Sequence, residues 1–266
     1  MLFALGLLAT ASAEDSTFAG TAGPETKEKP ETHVTGELGG AFATGNSNYY
    51  TVNGLLNASH QFDKNKFTFG AGVNIGGARA LVDTDGDGVA ETLQDEYTEN
   101  VRRIFGEGRY DRFLSDKDSL YVLAGAFHDR FAGYDLRSHE QVGYSRLLVK
   151  TEPTEFKTEL GFDVAQENYY GNELDPDYQN ILAARILLGL SHKFNDKVSF
   201  ADTFELYENV IDFEDVRILN TAALTSTLSG KFSIKVSHAL IFDNVPVDGL
   251  KPLDQTTMVT LVATLL

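Results

Sequence analysis

From residue 34 onward the apolar positions recur every second residue. Tyr50, Val52, Leu56, Ala58 and Phe62 share one parity, while Thr51, Asn53, Asn57, Ser59 and Gln61 occupy the other. Phe67, Phe69, Ala71, Val73 and Ile75 alternate in the same way, as do Phe156, Leu160, Phe162 and Val164, and Phe232, Ile234, Val236, Leu240 and Phe242. Period two is the signature of a strand with one apolar and one polar face. The pattern predicts twelve such segments: 34–44, 49–62, 67–79, 96–112, 119–131, 135–149, 155–169, 179–194, 198–209, 216–229, 231–243 and 255–266. Most exceed ten residues, long for a soluble sheet and sufficient for a tilted crossing of a bilayer.

The connections alternate in character. Short ones surround Lys64, Asp116-Lys117, Lys150–Thr154, Asn195-Asp196-Lys197 and Gly230; longer acidic ones cover 80–95, 171–178, 210–215 and 244–254, with 45–48 and 131–134 as short members of that set. Tight turns at one end and longer loops at the other are expected of an up-and-down barrel in an outer membrane. Aromatic residues near segment ends, among them Phe62, Phe67, Tyr134, Tyr169 and Phe194, are read as rings at headgroup depth. The fold class expected is therefore all-β: a transmembrane antiparallel up-and-down β-barrel of about twelve strands. A secreted β-sandwich is the rival, and closure is preferred because it removes edge strands.

The N-terminal segment reads differently. Residues 1–13, MLFALGLLATASA, form an apolar run ending in small residues, the pattern of a signal peptide. The usual basic start is missing, so the natural start is read as lying upstream of Met1. Residues 14–33 are polar, contain Pro24 and Pro30, and are expected to be a disordered periplasmic leader before a barrel over 34–266.

Composition trims the functional classes. The 22 Lys and Arg residues face 39 Asp and Glu residues, a net charge of -17, which argues against a nucleic-acid partner. No cysteine is present, which excludes disulfides, thiolate metal sites and a cysteine nucleophile. None of the six histidines has Ser two residues on, and neighbours such as Ser138-His139 point to opposite faces of a strand. The expectation is that the chain is not an enzyme.

Two clusters invite a functional reading. Asp83, Asp85, Asp87, Val89 and Glu91 follow the spacing of a calcium loop around Gly88 and Gly86, although Gln94 stands where a bidentate Glu belongs. Ca2+ is thus the one candidate cofactor; the plain alternative is an acidic external loop without an ion. The second cluster is Glu107, Arg109, Asp129, Arg137, Glu159, Asp163, Arg185 and Glu205, joined by Glu37, Asp111, Glu167 and Lys235, all on the polar parity. In a barrel these project into the lumen, either as a cation-favouring pore lining or as a ladder of paired charges filling a narrow lumen. The ladder is preferred because bulky Leu123, Phe127 and Leu187 share that parity.

Asp129-Arg130-Phe131, Gly133-Tyr134-Asp135-Leu136-Arg137, Gly143-Tyr144, Glu159-Leu160-Gly161, Gly189-Leu190-Ser191 and Asp243-Asn244 with Pro246 occur in a characteristic order. With Gly45-Asn46 after the first strand, this order resembles the YdiY-like family of salt-induced outer-membrane proteins, whose shared domain has no assigned function. The resemblance spans about 34–266 and departs at the end, where Thr264-Leu265-Leu266 replaces the usual terminal aromatic. It implies an outer-membrane barrel of a Gram-negative bacterium, porin-like or structural, linked to salt or osmotic conditions. The implied partners are outer-membrane lipid, lipopolysaccharide and, during insertion, the barrel-assembly machinery. The alternative role is a calcium-dependent surface binder acting through the 80–95 loop.

Overall fold

A computed structural model describes residues 27–44, 48–82, 92–93, 96–169, 178–246 and 250–266. Twelve long strands close into one antiparallel barrel: β1 (Lys27–Ala43), β2 (Asn48–Asp63), β3 (Asn65–Arg79), β6 (Thr98–Phe113), β7 (Asp118–Asp129), β8 (Tyr134–Lys150), β9 (Thr154–Tyr169), β10 (Tyr178–Lys193), β11 (Val198–Asn209), β12 (Val216–Thr227), β13 (Phe232–Asp243) and β14 (Leu253–Thr264). Between β3 and β6, β4 (Leu81–Val82) and β5 (Thr92–Leu93) pair as a separate two-residue ribbon. Each strand of the barrel pairs with its sequence neighbours, and β1 closes the wall against β14 from Thr35↔Thr264 to Gly39↔Thr260. Reciprocal backbone bonds between Val34 and the chain end, 3.0 and 2.8 Å, seal that seam. All twelve expected segments coincide with strands. Closure matters because it leaves no ladder edge without a partner, the condition a hydrocarbon solvent imposes.

Alternation sorts the side chains as the periodicity predicts. Leu160 and Phe162 are each 55% exposed on the outer face, and Val259 is 60% exposed, whereas Glu159, Asp163 and Glu167 on the same strand as Leu160 are buried inside. Apolar out and charged in is the reverse of a water-soluble sheet and suits a barrel surrounded by lipid. Glu140 is an exception, an exposed carboxylate on the outer face between Ala124 and Val164.

Two expectations need correcting. The first strand starts at Lys27, so residues 27–33 of the expected leader are strand, paired from Glu31↔Gln61 to His33↔Ser59. Their polar composition with Pro30 reads as disorder, but a ladder needs only backbone groups. Pro30 falls within the register shift between Lys27 and Glu31, where a missing N–H is tolerated. Tyr134 and Tyr169, expected at headgroup depth, turn inward instead: their rings lie 5.8 Å apart and Tyr169 donates to buried Glu167. Phe62, Phe67 and Phe194 do face outward.

Candidate functional site

The lumen is lined by two unlike walls. On the strands β6 to β11 almost every inward side chain is buried against another. At its centre is Glu159 of β9, 0% exposed. Glu159 accepts two bonds from Arg109 of β6, 3.0 and 2.9 Å, one from Arg185 of β10, 2.9 Å, and one from Lys157, 3.2 Å. Arg109 forks a second time onto Asp111, 2.9 and 2.8 Å, and Arg185 reaches Glu205 of β11 at 2.7 and 2.6 Å. Three cations and three carboxylates thus compensate one another. Buried charges persist only under such compensation, since each carries a desolvation cost of several kcal/mol.

This web needs a floor, and the sequence provides one in glycine. Tyr121 of β7 stands in register with Gly143 of β8, which in turn pairs with Gly161 of β9. A Cβ at Gly143 would lie 2.6 Å from the Tyr121 hydroxyl, and one at Gly161 2.8 Å from it. Without those carbons the phenol lies across two strands. The Arg109 guanidinium then stacks 4.1 Å above its ring, and Arg185 donates to its hydroxyl at 2.8 Å.

Toward the loop-bearing end the pairing continues. His139 Nδ1 stands 3.3 Å from Asp163, and Gln141 donates to Tyr207 at 3.2 Å. Leu123, Phe127 and Leu187 fill the space between, all buried. Higher still, Glu167 sits between Arg137, 2.9 Å away, and Arg217, which also reaches Asp215 at 3.0 Å and Asp243 at 3.5 Å. Arg103 pairs with Asp129 at 3.2 Å and covers the Phe127 ring at 3.9 Å.

The opposite wall, β12 to β14 and β1 to β3, is lined mostly by small residues, apart from Arg217 and Asp243 at its loop end and Leu219, Gln61 and Lys66. Thr221, Ala223 and Thr225 of β12 and Asn53 and Asn57 of β2 are half-buried, Gly70 of β3 carries no side chain, and the Phe105 ring of β6 lies over Gly72. Its central ion pair is Lys235–Glu37, 2.6 Å.

Each of the eight lumen residues expected from parity faces inward. Arg109, Glu159, Arg185 and Glu205 join in one network; Arg137, Asp163 and Asp129 belong to neighbouring pairs; Glu107 is buried opposite Gly125. Parity alone also marks Arg103, Lys157 and Arg217, which the charge list omits. Tyr121 and Tyr207 share the same inward parity and are buried in the lumen, although no charge marks them in the sequence. The calcium-loop candidates Asp83, Asp85, Asp87, Val89 and Glu91 lie outside the described residues, though the β4–β5 ribbon closes the stem of their loop. Among the described residues no group of three or more His, Asp or Glu is placed to hold a metal.

This architecture is similar to that of solved outer-membrane barrels. The NanC porin superposes with a TM-score of 0.53 and 14% identity, covering 89% of this chain and 100% of that one. At that identity the likeness is one of fold. The translocator domain of the autotransporter NalP from Neisseria meningitidis (TM-score 0.45, 14% identity, 91% of each chain) and the toluene transporter TodX of Pseudomonas putida (0.44, 10%, 97% and 94%) are more distant. No functionally curated protein matches the chain. A family model does, over residues 36–265 of the 266, and the chain belongs to that family, DUF481, described as a protein of unknown function.

Proposed function

We propose that this protein is a porin-like channel of a Gram-negative outer membrane, carrying small polar solutes along the sparsely lined wall and catalysing no reaction. One observation carries the reading: most of the charged and bulky inward residues are packed onto β6–β11, while along much of their length β12 and β2 present half-buried Thr, Ala and Asn. A lumen meant only as a filled strut has no reason to segregate its bulk. The paired wall holds the barrel's shape, and the thin wall leaves the route. Lipid and lipopolysaccharide surround the outer face in this reading, and the salt link suggested by family resemblance concerns when the channel is made.

Reconstitution of the purified barrel into planar bilayers tests this directly. Stable unitary current steps are expected; silence from protein whose gel mobility shifts on boiling, and which is therefore folded, overturns the channel. Silence combined with calcium-dependent protection of the 80–95 loop from protease favours the second reading, a surface binder built on Asp83, Asp85, Asp87 and Glu91, whose stem the β4–β5 ribbon pins.

A further inference from the structure

Resting on the channel reading, we propose that Asp254 is the residue that sets the barrel's preference for cations, and that its solutes are small cations, inorganic or ammonium-bearing. The dense ladder is a poor candidate for that role. Glu159, Asp111, Glu205, Glu167 and Asp129 each face at least one guanidinium within 3.3 Å, so their fields are cancelled locally and project little along the path. Asp254 differs. It is the second residue of β14, at the end of the barrel that bears the long loops. It pairs in register with Ile241 and shares its parity with buried Thr256 and Thr260, which turns its carboxylate into the lumen. It is half-buried and forms no ion pair or hydrogen bond among the described residues.

The segments outside the described residues add no cation to this end. Residues 45–47, 83–91, 94–95, 170–177 and 247–249 contain no Lys or Arg. They contain instead Asp83, Asp85, Asp87, Glu91, Asp95, Glu173, Asp175, Asp177 and Asp248. The short turns at the other end are mixed in charge: Lys64, Lys117, Lys150, Lys197 and Lys231 stand beside Asp63, Asp116, Asp118, Glu152 and Asp196. Asp254, near the start of β14, presents solutes with a lumen carboxylate that no cation offsets among the described residues, and such a charge attracts cations and repels anions.

The test is the reversal potential of the full-length protein in planar bilayers under a KCl gradient. The wild-type barrel is expected to favour K+ over Cl−. Asp254→Ser should lower that permeability ratio by about twofold or more, Asp254→Lys should invert it, and Asp254→Glu should restore it. Glu140→Gln, on the outer face, should change nothing. A wild-type preference for Cl−, or a K+ preference kept in both the Ser and Lys variants, overturns the proposal while leaving the channel standing. Silent wild-type protein overturns the channel reading itself, and this proposal with it.

Discussion

The two walls of the lumen solve opposite problems with the same backbone. On β6–β11, Arg109, Lys157 and Arg185 converge on Glu159 with their remaining bonds satisfied by Asp111, Glu205 and Tyr121. On β12–β14 and β1–β3, Thr221, Ala223, Thr225 and Asn53 ask for little compensation and give little cohesion. The difference shows that a charged lumen residue is not thereby a transport residue. Where a guanidinium and a carboxylate are buried within 3 Å of each other, removing one strands the other, so the pair defends structure. Where side chains are small and half-exposed, the same position tolerates change but controls space. Each wall should therefore fail in its own way, and substitutions that swap the failures test the distinction.

The largest effect is expected at the hub. Glu159→Ala leaves Arg109, Arg185 and Lys157 sharing too few carboxylates in a buried setting, and breaking such a group costs about 3–5 kcal/mol. The temperature at which the folded band converts to the unfolded one on an unboiled gel should drop sharply. Thr221→Ala, its counterpart on the thin wall, should shift that temperature little, as substitutions remote from packed features change stability by about 0.5 kcal/mol or less. Equal losses at both positions would erase the contrast between the walls.

A smaller loss is expected from the floor beneath the hub. Gly143→Ala places a carbon 2.6 Å from both the Leu160 carbonyl oxygen and the Tyr121 hydroxyl. The oxygen belongs to the backbone and cannot step aside, and overpacking of this kind costs about 1–3 kcal/mol. Gly108→Ala makes a strict control, because a Cβ there meets nothing within 4 Å. Urea midpoints of the two variants in detergent micelles should separate; coincident midpoints would mean that Tyr121 does not rest on Gly143.

Which parts of this were legible in the chain follows from the physics of a barrel. Period two is enforced residue by residue, because one face meets lipid and the other does not, so Leu160 and Phe162 against Glu159 and Asp163 could be read directly. The strand limits followed from the same alternation, departing most at Lys27–His33, where the ladder holds a polar edge that has no apolar face to announce it, and by two residues at Leu253–Asp254, which read as part of the preceding loop. Parity also located the lumen charges. It could not pair them, because Arg109 reaches past β7 and β8 to Glu159, fifty residues away, and the stagger of the strands sets that meeting. Nor could it show that Asp254 stands without a cation, since absence of a partner is a property of the closed barrel alone.

The subtlest prediction crosses the walls. Ala223 of β12 pairs in register with Ala201 and Ser237 and faces the lumen half-buried. Ala223→Leu adds bulk where the wall is thin, so unitary conductance should fall while the unfolding temperature stays close to that of the wild type. Leu123→Ala does the reverse on the crowded wall. Leu123 is buried beside Arg109 on the crowded wall, and deleting its branched end should cost about 2–5 kcal/mol with little change in current if the route follows the thin wall. If current instead rises with Leu123→Ala and ignores Ala223→Leu, the route runs through the ladder, and the thin wall is merely the side the barrel had no need to brace.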